Sequence, residues 1–139
     1  MVKSKVLTLL ILALLFPGVV FSETIDGTNK YAWSNYAGWV NFNPANGNVT
    51  VTGTALTGYI WSEQYGWINL NPANGGVTNS SSGALGGYAW GETAGWINFS
   101  NSSINCSGKF VGTATGDAIG TIDFACNNCN VSSKLFMAD

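Results

Sequence analysis

GYIWSEQYGWINLNPANGG, residues 58–76, sets two tryptophans six residues apart around a loop closed by Gly66. Nearly the same words precede it, as YAWSNYAGWVNFNPANG at 31–47, and follow it, as GYAWGETAGWINF at 87–99. Tyr31, Tyr59 and Tyr88 open equivalent units, 28 and 29 residues apart, and self-similarity at such a period marks a repeat architecture. A fourth, degenerate copy begins at Thr113: TATGDAIGTIDF aligns without gaps on YAWGETAGWINF, with Thr115 and Thr121 in place of tryptophan. The repeats run approximately over 31–58, 59–87, 88–112 and 113–131.

Each copy reads as a hairpin. A Tyr-x-Trp strand leads into a short loop ending at Gly38, Gly66, Gly95 or Gly120, a recurrence expected where φ must be positive. A Trp-Val/Ile-Asn-Phe/Leu strand returns. In the first two copies Asn-Pro-Ala-Asn-Gly then makes a turn, proline fixing φ and Asn-Gly tolerating the left-handed region. Connections this tight favour antiparallel pairing. The expected fold is all-β, roughly eleven short strands in a mainly antiparallel, sandwich-like meander. A β-solenoid is the alternative, since a coil of about 28 residues could lay each strand on its predecessor.

Side chains alternate along a strand, so each hairpin has two faces. One carries Ala32, Val40 and Phe42, then Ile60, Ile68 and Leu70, then Ala89, Ile97 and Phe99, then Ala114, Ile122 and Phe124. The other carries Tyr31, Trp33, Trp39 and Asn41, then Tyr59, Trp61, Trp67 and Asn69, then Tyr88, Trp90, Trp96 and Asn98. The fourth copy keeps the aliphatic face and replaces the aromatic one with Thr113, Thr115, Thr121 and Asp123, so the aliphatic face is what every unit needs to fold. That face alone is a small core for 117 mature residues, so the nine rings of the other face are expected to be mostly buried too. The competing reading makes Tyr59, Trp61, Trp67, Asn69, Tyr88, Trp90, Trp96 and Asn98 a platform for sugar rings, with amides at its edge for hydroxyls.

Composition narrows the rest. Lys3 and Lys5 precede an apolar run from Val6 to Phe16, and Val20-Phe21-Ser22 offers a cleavage site before Glu23, so residues 1–22 read as a secretory signal peptide. Residues 23–139 then form one domain, secreted or held at the cell surface, with the periplasm also possible. No second long apolar stretch follows that would insert in a membrane. Three lysines against seven acids give the mature chain a net charge of −4, with no arginine or histidine. Such a surface cannot displace counterions from nucleic acid. Cys106, Cys126 and Cys129 suggest one disulfide and one free thiol after export, the pairing left open. Three thiols without histidine are a poor zinc set, and no other metal or cofactor is expected.

Asn35, Glu63, Glu92 and Asp117 share one loop position. A glycosidase acid–base pair needs a cleft that such short loops do not provide, so these read as solvated turn residues. No histidine means no ordinary serine or cysteine triad, and GxSxG, P-loop and dinucleotide fingerprints are missing.

GYIWSEQYGWINL and GYAWGETAGWINF resemble a tandem GYAW-x5-GWINF repeat of predicted exported bacterial proteins, over most of residues 28–130. That resemblance implies secretion and β architecture, and the cysteine-bearing end also resembles the way such proteins finish. The tail from Lys134 to Asp139 matches nothing in it. The expected function is a non-catalytic extracellular or cell-surface protein with a structural or adhesive role. The alternative is a carbohydrate-binding module. Glycans or surface proteins are the expected partners, with self-association through open sheet edges a further expectation.

Overall fold

The computed structural model describes residues 22–134. The expected signal peptide, apart from Ser22, and the tail beyond Lys134 lie outside the described residues. Twelve strands form, all pairing antiparallel: β1 (Glu23–Ser34), β2 (Gly38–Asn41), β3 (Thr50–Val51), β4 (Ala55–Thr57), β5 (Tyr59–Ser62), β6 (Gly66–Asn69), β7 (Gly76–Asn79), β8 (Leu85–Gly91), β9 (Gly95–Ile104), β10 (Phe110–Gly116), β11 (Gly120–Asp123) and β12 (Asn130–Ser133).

The four hairpins share one register. Tyr31 faces Asn41, Tyr59 faces Asn69, Tyr88 faces Asn98 and Thr113 faces Asp123. The loop glycines have the positive φ that their recurrence suggests: 72° at Gly38, 77° at Gly66, 75° at Gly95 and 74° at Gly120. A side chain there would strain the backbone.

The meander closes on itself. β2 pairs with β5, β6 with β8 and β9 with β10, and β11 returns to β1 through Trp33↔Asp123 and Ser34↔Ile122. The short strands extend the same eight staves: β3 prolongs β2, β4 leads into β5, β7 prolongs β6 and β12 prolongs β11. Thus β1 pairs with β3, β3 with β4, β4 with β7, β7 with β8, and β12 with β1. The result is a closed barrel of eight antiparallel staves, in place of the sandwich or solenoid expected. Closure satisfies the backbone groups that an open sheet would leave unpaired at its edges. Among the described residues, no stave keeps a wholly unpaired edge. At the closing join, the Ser34 hydroxyl donates to the Ile119 carbonyl (2.6 Å) and accepts the N–H groups of Tyr36 and Ala37 (3.1 Å each).

The aliphatic face lines the barrel. Ala32, Val40, Phe42, Ile60, Ile68, Leu70, Ala89, Ile97, Phe99, Ala114, Ile122 and Phe124 are all fully buried. Phe124 sits amid Phe42, Phe99 and Phe110, with ring centroids 5.3–6.3 Å apart. Ile119, Ala37 and Ala94 join the core from the hairpin loops, and the Tyr65 hydroxyl donates to the Ala118 carbonyl (2.9 Å) of the fourth hairpin loop, across the barrel end.

The expectation that the rings are mostly buried is overturned. Tyr31, Trp39, Tyr59, Trp67, Tyr88 and Trp96 are between 39% and 46% exposed, and Trp33, Trp61 and Trp90 are half-buried. A barrel has one inside, and the Tyr/Trp/Asn positions point away from it. The missing core volume comes from stave extensions beyond the hairpins: Ile25, Val49, Val51, Leu56, Val77, Leu85, Ile104, Phe110 and Val131 are buried there.

Candidate functional site

The outward face carries three aromatic clusters of one design. In each, the two tryptophans pack at a steep angle, edge to face in the first two copies and tilted in the third, and the tyrosine flanks the second. Trp61–Trp67 centroids lie 5.0 Å apart and Tyr59–Trp67 6.2 Å; Trp90–Trp96 and Tyr88–Trp96 are 4.8 and 6.2 Å; Trp33–Trp39 and Tyr31–Trp39 are 4.9 and 6.1 Å. Such pairs hold each other rigid while leaving ring area open. The Trp61 indole donates to the Glu63 carboxylate (3.2 Å), as Trp33 donates to Asn35 (3.1 Å). Glu63 therefore sits exposed on the cluster rim and fixes the Trp61 indole.

The asparagine column also has a structural job in its turns. Asn41, Asn69 and Asn98 each accept a backbone N–H two residues on, from Asn43, Asn71 and Ser100, at 2.8, 2.9 and 2.8 Å. Asp123 does the same with Ala125 (2.8 Å). These are Asx turns ending the second hairpin strand, which is why aspartate replaces asparagine there without loss. Of the amides offered for hydroxyl recognition, the Asn98 Nδ2 donates to the Tyr88 hydroxyl at 3.4 Å.

Two other asparagines complete the site. After β2 and after β6 the chain leaves the barrel wall in an Asn-Pro-Ala-Asn-Gly turn, closed by Gly47 N–H donating to Pro44 C=O (3.0 Å) and Gly75 N–H donating to Pro72 C=O (3.2 Å). Each turn stands over the tyrosine and tryptophan of the following hairpin. Asn46, Tyr59 and Trp67 line one cavity of about 270 Å³; Asn74, Tyr88 and Trp96 line its counterpart of about 250 Å³. Trp96 borders a further cavity of about 290 Å³ on its other flank, with Asn98, Thr115, Gly116 and Asp117. The structure thus brings Tyr59 with Trp67, and Tyr88 with Trp96, into equivalent pockets. Trp61 and Trp90 pack beside them as cross-strand neighbours, and the Asn69 Oδ1 is engaged by its turn. Asn46 and Asn74 were legible as turn residues only. The missed signal is that the NPANG turn occurs just where the next hairpin keeps its aromatics.

β9 runs straight on from Gly95 to Ile104 without such a turn, and the hairpin after it is the threonine one. Wall and floor are lost together. Cys126 and Cys129 are joined, with Cα atoms 4.8 Å apart, and Cys106 is free and exposed. Among the described residues, no three Asp, Glu, His or Cys side chains gather into a metal-binding set. No family model, curated protein or solved structure matches the chain.

Proposed function

We propose that this chain is an exported, non-catalytic adhesive protein that binds neutral carbohydrate through the aromatic clusters outside its barrel. The observation that carries the reading is the repeated, half-open Tyr/Trp pocket with an asparagine amide on its wall, present at Asn46/Tyr59/Trp67 and Asn74/Tyr88/Trp96. An aromatic face takes the C–H face of a pyranose by stacking, and an amide at the edge bonds its hydroxyls. The two small pockets have no ionised side chain among their lining residues, and the mature net charge of −4 repels polyanions. An uncharged, hydroxylated ring fits that chemistry.

Geometry supports adhesion over processing. The clusters lie on successive hairpins around a closed ring, so they face different directions and engage separate polymer chains rather than one strand lying along a groove. Weak single sites then act together. Glu63 and Glu92 lie exposed at hairpin tips instead of across a cleft, which supports the non-catalytic reading.

The test is intrinsic tryptophan fluorescence across a panel of soluble neutral and anionic polysaccharides. Neutral polymers shift the emission, and W67A/W96A loses most of that shift while keeping the native circular dichroism spectrum. An unchanged spectrum with every neutral polymer would overturn the reading.

A further inference from the structure

The sequence around the disulfide aligns with the two turns that wall the pockets. In GWVNFNPANGNV, GWINLNPANGGV and GTIDFACNNCNV, Cys126 stands where Pro44 and Pro72 stand, Asn128 where Asn46 and Asn74 stand, and Cys129 where Gly47 and Gly75 stand. The backbone agrees. Cys129 N–H donates to Cys126 C=O (3.0 Å), the bond that closes each Pro-Ala-Asn-Gly turn. Asn130 pairs with Tyr31 as Gly76 pairs with Tyr88. Asn128, like Asn46 and Asn74, is exposed. The turn therefore stands against the first hairpin across the closing join of the barrel, where Trp39 is 42% exposed and Trp33 packs beside it.

We propose that this join carries a third carbohydrate site, with Tyr31 and Trp39 as floor and the Cys126–Cys129 turn as wall, and that the disulfide is the clamp holding that wall in place. The inference rests on the carbohydrate reading above. Proline and glycine preset the other two turns through restricted φ and a missing Cβ. Neither residue is present in Cys-Asn-Asn-Cys, and the covalent ring does the same work. Reduction leaves a turn with no conformational preset, so site three weakens while sites one and two stay. A redox enzyme's CxxC would open a helix after a strand; this one joins β11 to β12. The third site also differs in charge. Lys30 replaces Gly58 and Gly87 of the other copies, and its ammonium lies 5.6 Å from the Tyr31 ring centroid. Trp39 is therefore the clean reporter.

The experiment follows the six indole N–H signals of the ¹⁵N-labelled oxidised protein, titrated with cellohexaose, mannohexaose and xylohexaose in turn. With at least one of these, Trp39, Trp67 and Trp96 shift together. After the disulfide is reduced, Trp67 and Trp96 respond as before and the Trp39 response weakens about tenfold, as expected when a preorganised wall is lost. C126P/C129G restores the Trp39 response and makes it independent of reductant. A disulfide that only stabilises the fold would leave the Trp39 titration unchanged on reduction, which overturns the clamp. Shifts at Trp67 and Trp96 with a silent Trp39 overturn the third site and leave the carbohydrate reading standing. Silence at all three indoles with every hexasaccharide overturns both.

Discussion

Gly75 lies against Trp96 so closely that a β-carbon built on it would come within 3.0 Å of the indole Cζ3. A turn belonging to one repeat thus rests on the tryptophan of the next, and the pocket between Asn74 and Trp96 exists only across that boundary. At the equivalent place a β-carbon on Gly47 would run into the Tyr59 carbonyl oxygen. Gly47→Ala is therefore the harsher change, because backbone must move, whereas Gly75→Ala displaces a ring edge. We expect G47A to be destabilising by about 1–3 kcal/mol in urea unfolding, in the range of overpacking, and G75A by less.

Inside and outside of the barrel answer differently to truncation. Phe124→Ala empties the centre of the phenylalanine cluster and is expected to cost about 3–5 kcal/mol. Trp67→Ala removes a ring that is 44% exposed and is expected to cost about 1–2 kcal/mol, mostly its contacts with Trp61 and Tyr59. Chemical denaturation of the two variants checks the order. Equal losses would place Trp67 in the core.

The asparagine column makes a prediction drawn from the fourth hairpin. Because Asp123 closes its turn as Asn69 does, Asn69→Asp keeps the bond to the Asn71 N–H and leaves the midpoint of unfolding nearly unchanged. Asn69→Ala removes the acceptor and costs about 1 kcal/mol.

Asp26 gives the pH dependence. Its carboxylate accepts the N–H groups of Asn29 (2.8 Å) and Thr28 (3.0 Å), and these bonds, chiefly the one from Asn29, hold its pKa below the ordinary aspartate value of 3.8. A folded-state pKa below the unfolded one adds stability that is present above the unfolded value and is lost as pH falls through the folded value. Asp26→Asn therefore lowers stability slightly at neutral pH and flattens the acid limb, the two profiles converging as pH falls below about 4. Carbonyl-detected NMR titration of Asp26 reads the depressed value directly.

The hairpins, their register and their buried face were legible because period-two alternation is a local property, repeated four times with an informative substitution in the last copy. Ile60, Ile68, Leu70, Phe99 and Phe124 stand inside as that pattern requires. Closure was not legible. It depends on β11 meeting β1 through Trp33 and Asp123, ninety positions apart, and no turn residue signals a join between first and last copies. Missing closure also misplaced the rings. A flat meander would need both faces covered, while a barrel fills its interior with one face and with residues such as Ile25, Leu56 and Ile104 that lie outside the repeated words. At the pockets, Tyr59, Trp67, Tyr88 and Trp96 stood out by composition. Asn46 and Asn74 did not, because their part depends on which hairpin their turn leans over.

Hydroxyl-radical footprinting of the six tryptophans, with and without a soluble neutral polysaccharide that shifts the fluorescence, tests the central claim most directly. Trp39, Trp67 and Trp96 are expected to oxidise faster than Trp33, Trp61 and Trp90 in the free protein and to become protected when the polymer is added. Uniformly slow oxidation of all six, or an unchanged rate at Trp67 and Trp96 in the polymer's presence, would contradict the account.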